Sequence, residues 1–161
     1  MPKRSTDPNR VVTENRRARH EYAFLDQLEA GLVLRGSEVK SLRAGQGQLT
    51  DAYVTVRDGE AWLVGAHIPE YSHASLQGTH TPRRDRKLLL HRGEIARLAR
   101  QVAEKGLTLV PYRIYFKDGR AKCAVALARG KTGVDKRRTI AERDANREMA
   151  RELRGRELDR R

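Results

Sequence analysis

The chain is poor in cysteine, aromatics and acid. A single cysteine, Cys123, excludes an internal disulfide and any cluster of cysteine ligands, and it fits a reducing compartment. Aromatic residues make up 5% and apolar residues 38% of 161 positions, enough for one modest core in one domain. No run approaches the ~20 apolar residues of a membrane-spanning helix. Met1–Arg10 is basic but is not followed by the apolar stretch of a secretory signal. Acid is short by a wide margin: 34 Lys and Arg face 21 Asp and Glu, a formal net charge of +13. The expectation is a cytoplasmic, cationic protein whose partner is a polyanion, nucleic acid ahead of a membrane surface.

The surplus is unevenly spread. Residues 1–20 carry six bases and two acids, residues 21–130 carry 17 and 12, and residues 131–161 carry 11 and seven. The two ends have few core-forming residues, so they read as basic arms around a folded body: an N-terminal arm 1–20, a β-domain 21–130 and a C-terminal tail 131–161.

The body alternates strand and turn signals. The apolar run from Tyr22 through Leu28 halts at Gly31 and resumes at Leu32-Val33-Leu34, predicting a hairpin or a sharply bent strand. Ser37 is placed to cap a short helix that ends before Gly45, with Val39 and Leu42 as its buried pair. Asp58-Gly59 and Asp118-Gly119 each separate two β-rich runs, the strongest short-range hairpin signal, because the tight turn needs positive φ. Ile95, Leu98, Ala99 and Val102 recur at helical spacing up to Gly106, an amphipathic helix. Residues 72–82 lack periodicity and read as a loop. About six antiparallel strands with helices at the seams suit a small oligonucleotide-binding-type barrel, a fold analogy that by itself argues little about function.

No catalytic constellation is present. His20, His67, His73, His80 and His91 lack metal-ligand spacing and read as surface histidines. Gly45-Gln46-Gly47 lacks the second half of a dinucleotide fingerprint and reads as a turn. Cys123 lies in an alternating strand and reads as a small core residue. Neither an enzyme nor a cofactor is expected. What stands out instead are three basic clusters: Arg16-Arg17-Ala18-Arg19-His20, Arg83-Arg84-Asp85-Arg86-Lys87, and residues 130–138 from Gly130-Lys131 to Asp135-Lys136-Arg137-Arg138. Arginine can hold phosphate bidentately or stack on a base, which suits structured RNA. Beyond Thr139 the tail has helix-forming composition, but Ile140, Met149, Leu153 and Leu158 form no continuous stripe. It should be disordered alone and helical in an anionic groove.

These strings, in this order, resemble the small protein B family, the bacterial partner of transfer-messenger RNA. The resemblance is carried by residues 15–22 (Asn15-Arg16-Arg17-Ala18-Arg19-His20-Glu21-Tyr22), by Glu29-Ala30-Gly31, by residues 36–43 (Gly36-Ser37-Glu38-Val39-Lys40-Ser41-Leu42-Arg43), by residues 86–91 and by Gly130-Lys131 with Asp135-Lys136-Arg137. It implies a six-stranded oligonucleotide-binding-type barrel with peripheral helices and a long tail. The activity implied is ribosome rescue by trans-translation: binding the tRNA-like domain of transfer-messenger RNA and delivering it to ribosomes stalled without a stop codon. The partners implied are that RNA and the ribosome with its small-subunit RNA, the protein acting as a monomer with no membrane involved. Asn15, Arg19, His20, Glu29, Leu89 and Lys122 match the family's RNA-binding positions. Gly130, Lys131, Asp135, Lys136 and Arg137 match its decoding-centre motif, with Ile140 and Arg143 in the early tail. Thr132, Val134 and Ala141 depart from it: Val134 replaces an aromatic or His and offers apolar contact only, and Ala141 replaces a Lys.

Read from the residues alone, Glu29 is better explained by a strand-end pair with an Arg, and Leu89 is as well explained by the core as by packing under an unstacked base. Lys122 alternates with Cys123 and should face solvent. The competing class is a ribosome-associated structural or assembly protein, which shares size, charge and tails.

Overall fold

The computed structural model describes residues 9–71, 80–131 and 133–159, with side chains outside 133–140, 142 and 156–159. In chain order the elements are β1 (Arg10–Glu14), α1 (Arg16–Glu21), β2 (Tyr22–Leu32), α2 (Gly36–Arg43), β3 (Tyr53–Arg57), β4 (Glu60–Val64), β5 (Arg86–Leu89), α3 (Arg92–Lys105), β6 (Thr108–Lys117), β7 (Arg120–Gly130) and α4 (Gly133–Asp159). All pairings are antiparallel. Strands β6, β3, β4, β5, β2 and β7 pair in that order, and β7 pairs back onto β6. This closed six-stranded ring is the expected barrel, and closure leaves its own six strands without a free edge.

Both Asp-Gly turns form. Asp58 and Gly59 sit at φ 51° and 74°, Asp118 and Gly119 at 51° and 77°, so β3–β4 and β6–β7 are tight hairpins. Strand β7 shows how the ring divides inside from outside. Cys123, Val125 and Leu127 enter the interior core with Leu63, Leu88 and Ile114, while Ala124, Ala126 and Ala128 point to an outer cluster. Helix α2 adds Leu42 to the interior and α3 adds Ile95 and Leu98, with Val39 and Val102 half-buried against it. Cys123 is fully buried and its thiol is pushed up to about 12 by burial, the inert core residue expected.

Several expectations are corrected. The segment around Gly31 contains no turn: β2 runs unbroken for 11 residues, with a bulge at the exposed Leu25. Gly31 is instead a point of close approach, because a Cβ there would lie 3.1 Å from the Leu89 Cβ. The N-terminal arm is not free of the body over its described length. Arg10–Glu14 pairs with β6 as a seventh strand outside the ring, and α1 follows at once. Ser37 is not the α2 cap; Arg35 holds that position, and its N–H donates to Glu38 Oε1 at 2.8 Å. His80 is no surface residue. It is 4% exposed, with Nε2 2.8 Å from the Ile68 carbonyl and Nδ1 2.8 Å from Ser37 Oγ. A carbonyl only accepts, so Nε2 carries a proton, and Nδ1 shares a second hydrogen bond with the Ser37 hydroxyl. His73 lies outside the described residues.

Ser37 and His80 belong to a polar clasp between α2 and the β4–β5 connection. Glu38, fully buried, accepts from Arg84 and from the equally buried Arg86. Arg86 also donates to the carbonyls of Ala66 at 2.8 Å and Pro82 at 2.9 Å, and Ser41 donates to the Pro69 carbonyl at 2.7 Å. Burial pushes the Glu38 carboxyl up, but the hydrogen bonds from Arg84, Arg35 and Arg86 outweigh it and hold the group below its ordinary value.

After Gly130 the tail forms α4, 27 residues long, and its described side chains are all exposed. Met149 and Leu153 are 58% and 64% exposed, as the missing stripe implied. No helix among the described residues is long and apolar enough to cross a membrane.

Candidate nucleic-acid interface

The outer face of β2, β7 and β6 is built on small residues. Ala124, Ala126 and Ala128 give β7 a low floor, and α1 lies against this cluster through the buried Ala18. The small side chains let aromatic rings from the flanking strands lean over: Phe24 of β2 and Tyr112 of β6 meet at 5.1 Å between centroids, tilted 45°. Arg19 crosses both rings, its guanidinium carbon 5.2 Å from the Phe24 centroid and 5.4 Å from that of Tyr112. Stacking of this kind restricts the guanidinium while leaving its donors available. The Tyr112 hydroxyl donates to Gln27 Oε1 at 3.0 Å and thus ties the two flanking strands together.

Further along the same face, registration aligns one transverse row. Leu89 pairs with Gly31, Gly31 with Lys122, Lys122 with Tyr115, and Tyr115 with Val11, across β5, β2, β7, β6 and β1. Both ends of the row are exposed apolar side chains, Leu89 at 56% and Val11 at 52%. Glu29 sits beside it, on the outward phase between Leu28 and Ala30. Its carboxylate accepts from the Tyr115 hydroxyl, and Lys117 Nζ lies 3.5 Å away. The Tyr115 hydroxyl, against the upward effect of burial, and then Lys117 and Lys122 hold this carboxyl below its ordinary range.

The row and the position beside it therefore bring Glu29, Leu89 and Lys122 together from three separate strands. Lys122 is half-buried rather than fully solvent-facing, and Leu89 is exposed rather than core. Asn15, Arg19 and His20 lie at the other end of the face, on or beside α1, where the Asn15 N–H donates to the Tyr112 carbonyl at 2.8 Å. From Tyr22 to Gly31, β2 spans nine steps of ~3.3 Å, so the two ends are roughly 30 Å apart. The tail leaves from the α1 end. Gly130 pairs with Tyr22, the Lys131 N–H donates to the Glu21 carbonyl at 2.9 Å, and Lys131 Nζ donates to the Arg19 carbonyl at 2.9 Å. Asp135, Lys136, Arg137 and Ile140 fall in the first turns of α4, their side chains outside the described residues; Arg143 is exposed, and Thr132 lies outside the described residues.

One basic cluster does not reach a surface for phosphate as a unit. Arg84 and Arg86 are held by Glu38, and Lys87 Nζ lies 3.0 Å from Glu60. Asp85 in turn pairs with Arg57 at 2.8 Å. These charges clasp the fold. Conversely, Phe24, Gln27, Tyr112, Tyr115 and Lys117 belong to the face and were not singled out from the sequence. The alternation of β6 carries the signal of Tyr115 and Lys117, which fall on the phase opposite the buried Ile114 and Phe116. Among the described residues no three His, Cys, Asp or Glu side chains are grouped to hold a metal ion.

Comparison with known proteins agrees in extent and kind. The family model described as SmpB protein matches residues 12–155. The SsrA-binding protein of Frankia casuarinae is 56% identical over 144 residues, covering 89% of this chain and 90% of its own. That of Mycobacterium sp. strain KMS is 58% identical over 145 residues, covering 90% and 86%. A solved chain described under “tmRNA-SmpB: a journey to the center of the bacterial ribosome” superposes with a TM-score of 0.65 at 46% identity, over 83% of this chain and 95% of that one. By the match over most of its length, the chain belongs to the SmpB protein family.

Proposed function

We propose that the protein is a cytoplasmic RNA-binding factor of trans-translation. It binds the tRNA-like domain of transfer-messenger RNA on the outer face of β2, β7 and β6 and delivers it to stalled ribosomes, with no catalytic step of its own. The observation that supports this reading is that β2, β5 and β7 bring Glu29, Leu89 and Lys122 to one face, at whose other end Arg19 of α1 lies across Phe24 and Tyr112, with Asn15 and His20 in the same segment. Arg19, shelved on two rings, and Lys122 supply phosphate contacts; Glu29 and the exposed Leu89 suit unpaired bases rather than backbone. A face with stacking surfaces, several cations and two carboxylates, Glu29 and the Arg113-paired Glu14, suits unstacked bases, which a regular duplex does not offer.

The tail is the second contact. Its root is fastened to α1 through Lys131, so an RNA on the barrel face and a groove holding α4 are linked through one short helix. Gly130, Lys131, Asp135, Lys136 and Arg137 enter the decoding centre, and Ile140 and Arg143 follow into the empty message channel. The exposed, stripe-free α4 buries none of its described side chains against the barrel and gains its further stability from that anionic channel.

Sequencing the RNA that co-purifies with the protein tests the reading. One dominant tRNA-like species is expected; ribosomal RNA in stoichiometric amounts at high salt would favour the assembly-protein alternative. Deleting residues 131–161 should leave RNA affinity largely intact while abolishing tagging on stalled ribosomes, and retained tagging would refute the role given to the tail.

A further inference from the structure

Glu29 stands out on a face that also presents Arg19, Arg113, Lys117 and Lys122, because a carboxylate there repels phosphate; the face's other carboxylate, Glu14, is tied to Arg113 at 3.1 Å. Glu29 is also held in place by groups of β6. The Tyr115 hydroxyl, from β6, donates to Oε2; Lys117 Nζ, also from β6, lies 3.5 Å from Oε1; and Lys122 of β7 faces it from the adjacent row. Tyr115 is half-buried, and burial first and Glu29 second push its phenol well above the ordinary tyrosine range, so it remains a neutral donor. A carboxylate offers about four acceptor sites, and these bonds leave some of them open. An ionised group held in this way accepts N–H donors from an exposed base edge and rejects backbone phosphate.

We propose that Tyr115 is a positioning residue of the RNA interface: through its hydroxyl bond to Glu29 it fixes that carboxylate as a reader of imino or amino groups on an unpaired base. This rests on the reading of the β2, β7 and β6 face as the RNA site. It makes Glu29 a discriminator at one point of a mostly cationic surface, and it gives β6 a part in recognition. The contact is lost when the hydroxyl alone is removed, with the ring and its packing kept.

The test uses the full chain as wild type, Tyr115→Phe, Glu29→Gln and the double variant, with the tRNA-like domain as RNA probe at pH 7 and constant salt. Carbon-detected NMR follows the Glu29 carboxyl in the RNA-free protein. Tyr115→Phe should melt within a few degrees of wild type, bind about five- to tenfold more weakly and show the Glu29 titration moved upward. In the Glu29→Gln background the same change should add less than about twofold, the non-additivity of residues acting as a unit. Wild-type affinity in Tyr115→Phe, an unmoved Glu29 titration, or an undiminished loss in the Glu29→Gln background would each overturn the proposal while leaving the RNA site standing. Failure of the wild type to prefer the tRNA-like domain over a duplex of matched length would instead overturn the site.

Discussion

Replacing Glu38 with Gln should be among the most damaging conservative changes in the barrel, although the residue lies outside the proposed RNA face. Glu38 and Arg86 are both 0% exposed, and Glu38 also receives Arg84 and the Arg35 N–H. Gln keeps the shape but removes the charge, and its NH2 then meets a guanidinium N–H, donor against donor. Arg86 stays charged and buried, with only the carbonyls of Ala66 and Pro82 as partners. Breaking a buried pair from one side costs about 3–5 kcal/mol, against a total stability of about 5–15 kcal/mol for a domain. With a urea slope of about 2 kcal/mol/M, the midpoint should fall by about 2 M. The pH dependence gives an independent check. The folded pKa of Glu38 lies below its unfolded value of 4.5, so its stabilisation is present above that pH and is lost as pH falls through the lower folded value. Wild type should therefore lose stability below pH 4.5 more steeply than Glu38→Gln. A urea midpoint corresponding to a loss under about 1 kcal/mol would refute the reasoning, since it would mean the clasp contributes no more than a surface pair.

Cys123 should resist thiol reagents in the folded protein, because a thiol at about 12 is almost wholly protonated at neutral pH, and it should label rapidly in urea; fast labelling without denaturant would contradict its burial. Gly119→Ala should cost about 1 kcal/mol, read by urea denaturation, because φ 77° at the β6–β7 turn is strained for any residue with a Cβ. Gly31→Ala should do more than its added methyl suggests: the new Cβ meets the Leu89 Cβ at 3.1 Å, so Leu89 must shift and RNA binding should weaken in a filter-binding titration.

What the sequence made legible was local. The Asp58-Gly59 and Asp118-Gly119 hairpins depend on two residues at each turn, and α3 on the spacing of Ile95, Leu98, Ala99 and Val102, so both could be read directly. What escaped was decided by distant partners. Val11 is strand only because Tyr115 lies opposite it, more than 100 residues on. Arg84 and Arg86 look like phosphate ligands until Glu38, more than 40 residues earlier, is found buried between them. His80 sits in an aperiodic stretch and gains its burial from Ser37 and Ile68. The candidate site divides the same way. Its cations were visible as clusters or through the family resemblance, whereas the rings beneath Arg19 and the hydroxyl on Glu29 are products of strand register. Of the +13 charge, part holds the fold, so less of it is available to RNA than the composition suggests.

The central claim is that one side of the barrel, and not its overall charge, binds the RNA. The direct test compares two variants that each remove two positive charges, Arg19→Ala/Lys122→Ala on the β2, β7 and β6 face and Arg57→Ala/Lys87→Ala on β3 and β5. Affinity for the tRNA-like domain is measured across a salt series, with both variants shown to be folded. The first pair should weaken binding by at least about tenfold and flatten the slope of log affinity against log salt by about 1.5–2, close to one counterion per lost phosphate contact. The second pair should bind within about twofold of wild type. Equal losses from the two pairs would contradict the account and make the protein a general polycation.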